Sequence, residues 1–273
     1  MSKKDQNPAQ DQPDEEEEEE KPEPVTTLTK LADGIYQLTL LEPVFSPQMI
    51  IEITTHLDDL EELKPQLISL ITTCSHPTIF GGGINLHYFD THTREEVNSF
   101  YHNFARLLAR FVIIGFPTIA AIHGYCIGFG FMFAMAHDFR YMADTPGRYL
   151  AMPEVDIGIS FAFGHLSLFK EKLEGKVVEK LILGGHKFYK DEALAADIVQ
   201  KVAPAEKLVE TCKGLMEKLS PKSIHSGIMS SIKFVLYEDI VDDCRLRFHM
   251  DQDLLDYFVK VKKDTVGILK RKG

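Results

Sequence analysis

Apolar positions along the chain fall into two rhythms. Gly34-Ile35-Tyr36-Gln37-Leu38-Thr39-Leu40-Leu41 is a β-rich run closed by Pro43, and it reads as the first strand. Met49, Ile50, Ile53, Leu57 and Leu60 then recur at helical spacing, which predicts a helix over 48–63. Leu67 to Thr73 is a second β-rich run, read as a buried strand. From about Arg94 to Phe111 the stripe Val97, Phe100, Tyr101, Phe104, Leu107, Leu108, Phe111 predicts a longer helix. Pro117 to Ile122 is another buried strand, followed by a short apolar helix over Phe129–Ala136 and a returning strand at Arg140-Tyr141-Met142. Val177–Leu183 and Lys190–Ala196 read as helical. So do the last 70 residues, with the stripes Leu208, Cys212, Leu215, Met216, Leu219 and Leu254, Leu255, Phe258. Strands alternating with helices, then helices alone, give an α/β core with a helical C-terminal region. No repeat is visible at the level of residues.

Composition changes this picture at one end only. Of the net charge of −11, residues 1–24 supply −7, through ten acids against three lysines. That segment has four prolines, the run Glu15–Glu20 and almost no large apolar side chain. Such a chain cannot bury enough surface to offset its ordering entropy, so residues 1–28 are expected to be a disordered acidic tail, with a basic partner as the sharper possibility. Without the first 24 residues the chain carries an ordinary −4, which gives a nucleic-acid role no electrostatic support. No apolar run reaches the ~18 residues of a membrane span. Cys74, Cys126, Cys212 and Cys244 have no paired spacing and read as reduced thiols of an intracellular protein. The acidic tail is the opposite of a mitochondrial presequence. The end Lys270-Arg271-Lys272-Gly273 is not a peroxisomal signal, and the loose match from Lys30-Leu31 to Gln37-Leu38 overlaps the first strand.

The candidate chemistry sits in two glycine-rich turns and a carboxylate. Phe80-Gly81-Gly82-Gly83-Ile84-Asn85-Leu86 follows one strand, and His123-Gly124-Tyr125-Cys126-Ile127-Gly128-Phe129-Gly130 follows another. Glu154 lies later, in Met152-Pro153-Glu154-Val155-Asp156-Ile157-Gly158. Two such turns can aim two backbone N–H groups at one oxygen, and one carboxylate beside it can move a proton, which is the equipment for an enolate. Other readings of the glycines fail. A phosphate loop needs Gly-Lys-Ser/Thr where Gly83-Ile84-Asn85 stands, and a dinucleotide fingerprint needs glycine where Phe133 stands. His123, His137, His165 and His186 are scattered, with no metal-ligand spacing; His137-Asp138 reads as a helix end. Gly158-Ile159-Ser160-Phe161-Ala162 lacks the last glycine of a serine nucleophile elbow.

In their joint order these motifs resemble the enoyl-CoA hydratase/isomerase (crotonase) superfamily, from about residue 30 onward. The first turn is similar to F-x-x-G-x-D-L. Pro117 through His137-Asp138-Phe139-Arg140 is similar to the strand, glycine turn and helix that follow, and Pro153-Glu154 to the P-E-x-x-x-G. Lys201-Val202-Ala203-Pro204 is similar to the passage into the helical tail. Gly130 to Asp138 points to the Δ3,Δ2-enoyl-CoA isomerase branch. The resemblance implies a spiral of β-β-α units over 29–200 and a helical region over 201–273. It implies oxyanion donors at the Ile84 and Phe129 N–H groups and a catalytic base at Glu154. Substrate contacts are implied at Gly83, Asn85, Leu86, Gly128 and Phe161. Of the two glutamates used by hydratases, one falls on Glu154 and the other on Met132, which cannot hold water. An isomerase needs no water and only one base, so the expected reaction is conversion of 3-enoyl-CoA to 2-enoyl-CoA in fatty acid metabolism. The alternatives are a hydratase and an inactive scaffold, the latter raised by the bulk of Phe129, Phe161 and Phe163. No metal or further cofactor is expected, since coenzyme A is part of the substrate. A homotrimer or hexamer and a peroxisomal or cytoplasmic location complete the expectation.

Overall fold

A computed structural model describes residues 22–245, apart from residues 64, 65, 160 and 162. The acidic run, the Leu254, Leu255, Phe258 stripe and the C-terminal basic residues lie outside the described residues.

The chain builds two sheets at once. The strands are β1 (Thr26–Ala32), β2 (Ile35–Leu40), β3 (Ser69–Cys74), β4 (Ile79–Gly81), β5 (Thr118–Ile122), β6 (Tyr125–Ile127), β7 (Phe139–Ala143), β8 (Tyr149–Ala151), β9 (Phe188–Tyr189) and β10 (Lys201–Ala203). The larger sheet has the order β1-β2-β3-β5-β7-β10 and the smaller β4-β6-β8-β9. All neighbours run parallel except β1–β2 and β8–β9. Three times the chain runs along the larger sheet and then steps to the smaller: β3 to β4, β5 to β6, β7 to β8. The spiral is therefore a structural repeat that the residues do not display.

Strands β3 and β5 are buried almost throughout, as expected for parallel strands covered on both faces. Leu38, Leu40, Leu70, Ala120, Ile122 and Met142 face the main core. Ile35, Ile71, Ile119 and Ala121 face the helix Leu208–Leu219 through Leu208, Cys212 and Met216. The helix Pro47–Glu62 starts at Ser46, whose Oγ accepts from Met49 N–H at 3.2 Å, with Pro47 at the first position. The helix Arg94–Ile113 opens with a full capping box between Thr93 and Glu96 and buries the whole predicted stripe.

Three boundaries move. Residues 26–28, expected in the tail, belong to β1. Val25 and Thr26 donate backbone N–H bonds to the Glu52 carboxylate at 3.0 and 2.8 Å, which ties the start of the strand down. The first strand is therefore β1, one before the run at Gly34–Leu41. Lys201–Ala203, expected to begin the helical region, instead pairs with β7 and completes the larger sheet. The smaller sheet escaped the sequence because strands of two or three residues carry no alternation to read.

Candidate active site

The smaller sheet brings the candidate residues together. β4, β6 and β8 are parallel neighbours, so their C-terminal ends lie side by side. Gly82-Gly83-Ile84 leaves the first, Gly128-Phe129 the second, and Met152-Pro153-Glu154 the third. Ligands of open parallel sheets commonly bind in such a crevice beyond the strand ends.

Close backbone approach holds the two turns against each other. Gly81 and Gly130 abut: a Cβ on Gly81 would stand 2.5 Å from the Cα of Gly130. No larger residue fits there. The first turn is pinned from outside by Gly82 N–H to Pro43 O at 2.7 Å and Phe45 N–H to Gly83 O at 2.8 Å. Gly83 has φ +90 and Gly128 φ +54, both in the left-handed region. Gly128 N–H reaches Ala151 O at 3.2 Å, which ties the second turn to β8. Gly128 caps the helix Phe129–Ala136, and its carbonyl accepts from Met132 N–H at 2.9 Å. Phe129 is thus the first residue of a buried helix, where N–H groups have no intrahelical acceptor and the dipole is positive. Among the described residues, neither the Phe129 nor the Ile84 backbone N–H has a hydrogen-bond partner.

Ile84, Phe129 and Glu154 all line one cavity of about 120 Å³, together with Gly83, Gly128 and Leu86. Met132 and the apolar residues Ile127, Ile157 and Ile159 also face it. Asn85 does not line it; its Oδ1 accepts from His87 N–H at 3.0 Å and closes the turn. Phe161 does not line it either, and packs half-buried against the main core.

Glu154 is 7% exposed, and its Oε2 is buried without a hydrogen-bond partner. Its Oε1 lies close to the second turn, 3.2 Å from where a Cβ on Gly128 would be. Burial raises the Glu154 pKa to about 7, against a small opposing effect of its own backbone N–H. A carboxyl group in this state can give or take a proton near neutral pH.

Two wall residues were not anticipated as site residues. Tyr101 and His165 line the cavity and are buried. Burial, and secondarily the negative charge of Glu154, raise the Tyr101 pKa, so its hydroxyl keeps its proton. Burial lowers His165 to about 3, so the ring is neutral. Tyr101 sits on the helical stripe as ordinary core, and no spacing singles out His165. Phe129 turns its ring away from the turns onto Phe104, stacked at 4.0 Å with planes 6° apart.

A family profile described as Enoyl-CoA hydratase/isomerase matches residues 30–270. Enoyl-CoA delta isomerase 3 of Arabidopsis thaliana is 30% identical over 229 residues, which is 81% of this chain and 94% of that protein. Enoyl-CoA delta isomerase 2, peroxisomal, of the same plant is 30% identical over 227 residues, 78% of this chain and 92% of that protein. Among solved structures, an enoyl-CoA hydratase/isomerase family protein from Pseudomonas syringae aligns with TM-score 0.73 at 22% identity, covering 83% of this chain and 98% of that one. A probable enoyl-CoA hydratase from Mycobacterium tuberculosis aligns with TM-score 0.74 at 17% identity, covering 89% and 99%. These likenesses carry the fold.

Proposed function

The chain belongs to the enoyl-CoA hydratase/isomerase family, and we propose that within it the protein is an isomerase that moves the double bond of 3-enoyl-CoA to the 2-position. One observation carries the choice: the cavity holds the buried carboxylate of Glu154, its Oε2 without a hydrogen-bond partner, and is also lined by Met132, on which the resemblance places the second glutamate of the hydratases. Hydration needs a seat for water that a thioether does not offer. Isomerisation needs a single group that removes a proton and returns it.

In this reading the thioester oxygen lies between the Ile84 and Phe129 N–H groups. Glu154 takes a proton from C2, and the C2–H electrons flow into an enolate held by the two donors. The enolate then collapses, the double bond settles between C2 and C3, and Glu154 returns the proton at C4. Each oxyanion donor is typically worth about 3–4 kcal/mol to such a step. The Glu154 pKa of about 7 suits both halves of the cycle, because acid and base forms are both populated at neutral pH. The family likeness and the apolar residues Ile228, Ile232, Val235 and Leu236, exposed on the helix Ser226–Leu236, support self-association, which sedimentation would read.

The direct test is incubation with a 3-enoyl-CoA, following the conjugated 2-enoyl thioester by absorbance. Its appearance supports the reading. Formation of a 3-hydroxyacyl product from a 2-enoyl-CoA, without isomerisation, would favour the hydratase. Absence of both reactions and of acyl-CoA binding would leave a scaffold.

A further inference from the structure

One side of the cavity, formed by Phe129, Tyr101 and His165, belongs to a cluster of interlocked rings. Phe129 stacks on Phe104 at 4.0 Å and meets Tyr101 edge-on at 5.0 Å. His165 stands T-shaped to Phe129 at 5.4 Å and to Phe104 at 5.8 Å. Phe104 is itself fully buried and backed edge-on by Phe45 at 5.3 Å. A ring in such a wall cannot swing aside without displacing its neighbours, because interiors packed at this density move together or not at all. Burial keeps both the Tyr101 hydroxyl and the His165 ring uncharged, so the wall presents no charge to a ligand.

We propose that this wall limits the protein to short acyl groups, of about four to six carbons, and turns away longer tails. The inference rests on the acyl-CoA reading above and goes beyond it to the substrate class. Phe129 would supply both an oxyanion donor and a ring of the wall, so the reacting end and the wall meet at a single residue. The cavity of about 120 Å³ agrees. An apolar cavity of about 150 Å³ is filled by one benzene molecule, so this one has room for a thioester carbonyl and a few carbons. A tail of eight or more carbons would have to unstack the rings or lie outside over Leu86 and Ile157, which are about half exposed.

Calorimetric binding of saturated thioesters tests this without turnover. Butyryl-CoA, octanoyl-CoA and free coenzyme A are titrated into the full chain. Butyryl-CoA is expected to bind at least ~10-fold more tightly than octanoyl-CoA, a difference of about 1.4 kcal/mol. Phe129→Ala keeps the backbone N–H and removes one ring, and should shift the ratio toward octanoyl-CoA at least ~5-fold. Phe104→Leu leaves both turns untouched and should shift it the same way; it serves if Phe129→Ala fails to fold. Equal or tighter octanoyl-CoA binding to the wild type overturns the proposal while leaving the acyl-CoA site standing. So does a ratio unmoved in the folded variants, or affinities matching coenzyme A alone, which would place the acyl group outside the wall. If none of the three ligands binds, the acyl-CoA reading falls as well.

Discussion

The eight-residue helix Phe129–Ala136 has two ends built to opposite rules. At its C-terminal end the carbonyls of Phe133, Ala134, Met135 and His137 are all hydrogen-bonded. His137 donates its backbone N–H to Ala134 O, and its Nδ1 pairs with Phe133 O at 2.8 Å. Lys172 Nζ donates to Met135 O at 2.7 Å and His137 O at 3.0 Å, and Arg140 adds a bond to His137 O at 3.0 Å. Arg140 places a positive charge where it complements the helix dipole, while burial pushes the Lys172 amine well below the usual lysine range. Asp138 accepts from Thr118 N–H at 2.8 Å and from Lys233 Nζ at 2.7 Å, tying the C-terminal helix Ser226–Leu236 to the sheet. At the N-terminal end the Phe129 N–H has no acceptor and Glu154 Oε2 no donor among the described residues. A buried polar group left unpaired costs about 1–3 kcal/mol. The contrast is what the proposed reading requires: donors and a carboxylate at one end left available for a thioester, and a polar network at the other that only holds the fold. Polar density alone would have pointed to the wrong end.

The largest effect is expected where the saturated end is broken. Asp138→Ala would strand the buried Lys233 ammonium beside Arg140 and Lys172, and should cost about 3–5 kcal/mol in chemical denaturation. If the variant folds, acyl-CoA binding should survive. A variant of near-normal stability that no longer binds acyl-CoA would mean that this end, too, serves the ligand.

Glu154→Gln tests the unpaired end with opposite signs for activity and stability. Isomerisation should fall at least ~100-fold, while acyl-CoA binding persists. Stability should change the other way. In the unfolded chain Glu154 has an ordinary pKa near 4.5, and in the folded protein about 7. Below pH 4.5 both states are protonated and folding carries no penalty. As pH rises from 4.5 to 7 the unfolded chain releases its proton first, so folding becomes progressively less favourable, and the full penalty stands above pH 7. Relative to wild type, the glutamine variant should therefore gain about 2.5 kcal/mol between pH 5 and pH 8. In the wild type, kcat/KM should fall as pH drops below about 7. A flat stability difference across that range would mean that Glu154 is not desolvated.

Gly83→Val comes next. It forces a β-branched side chain to φ +90, at a cost of about 1–3 kcal/mol. Because that turn presents the Ile84 N–H, turnover should suffer more than melting temperature. Unchanged turnover would remove the first turn from the mechanism.

The sequence exposed these two ends unequally. The glycine turns were legible because backbone geometry demands glycine at Gly83 and Gly128, and Glu154 because it is the carboxylate that the proposed proton transfer would require. The long helices and buried strands were legible through periodicity. The small sheet that gathers the turns was not, since its strands are too short for any pattern. Tyr101 and His165 were hidden because a wall residue and a core residue obey the same rule of apolar spacing. Asn85, expected from the resemblance as a substrate contact, has its Oδ1 on the His87 N–H at 3.0 Å, a local bond that its position in the sequence does not announce. The network around Lys172, Arg140, Asp138 and Lys233 joins residues up to 117 positions apart, and no local spacing announces it.

The smallest effect is expected at His137, inside the saturated end. Its ring is fully buried, and Nε2 pairs with Thr72 Oγ1 at 2.8 Å. With Nδ1 donating to Phe133 O, Nε2 is the acceptor and the threonine hydroxyl the donor. Thr72→Val keeps the shape and removes that donor, leaving one buried acceptor unpaired at a cost of about 1–2 kcal/mol. Turnover and its pH dependence should not move, because Thr72 touches neither turn nor Glu154. The acid side checks the state of the ring. Burial holds His137 at about 3, against about 6.5 in the unfolded chain. The stability of the neutral ring is fully present above pH 6.5 and is lost as pH falls toward 3. Wild type and variant should both show this loss, offset by the same small increment. A Thr72→Val protein that keeps its stability but loses isomerisation would show that the far end of the helix tunes the near one, and the division between the two ends would fail.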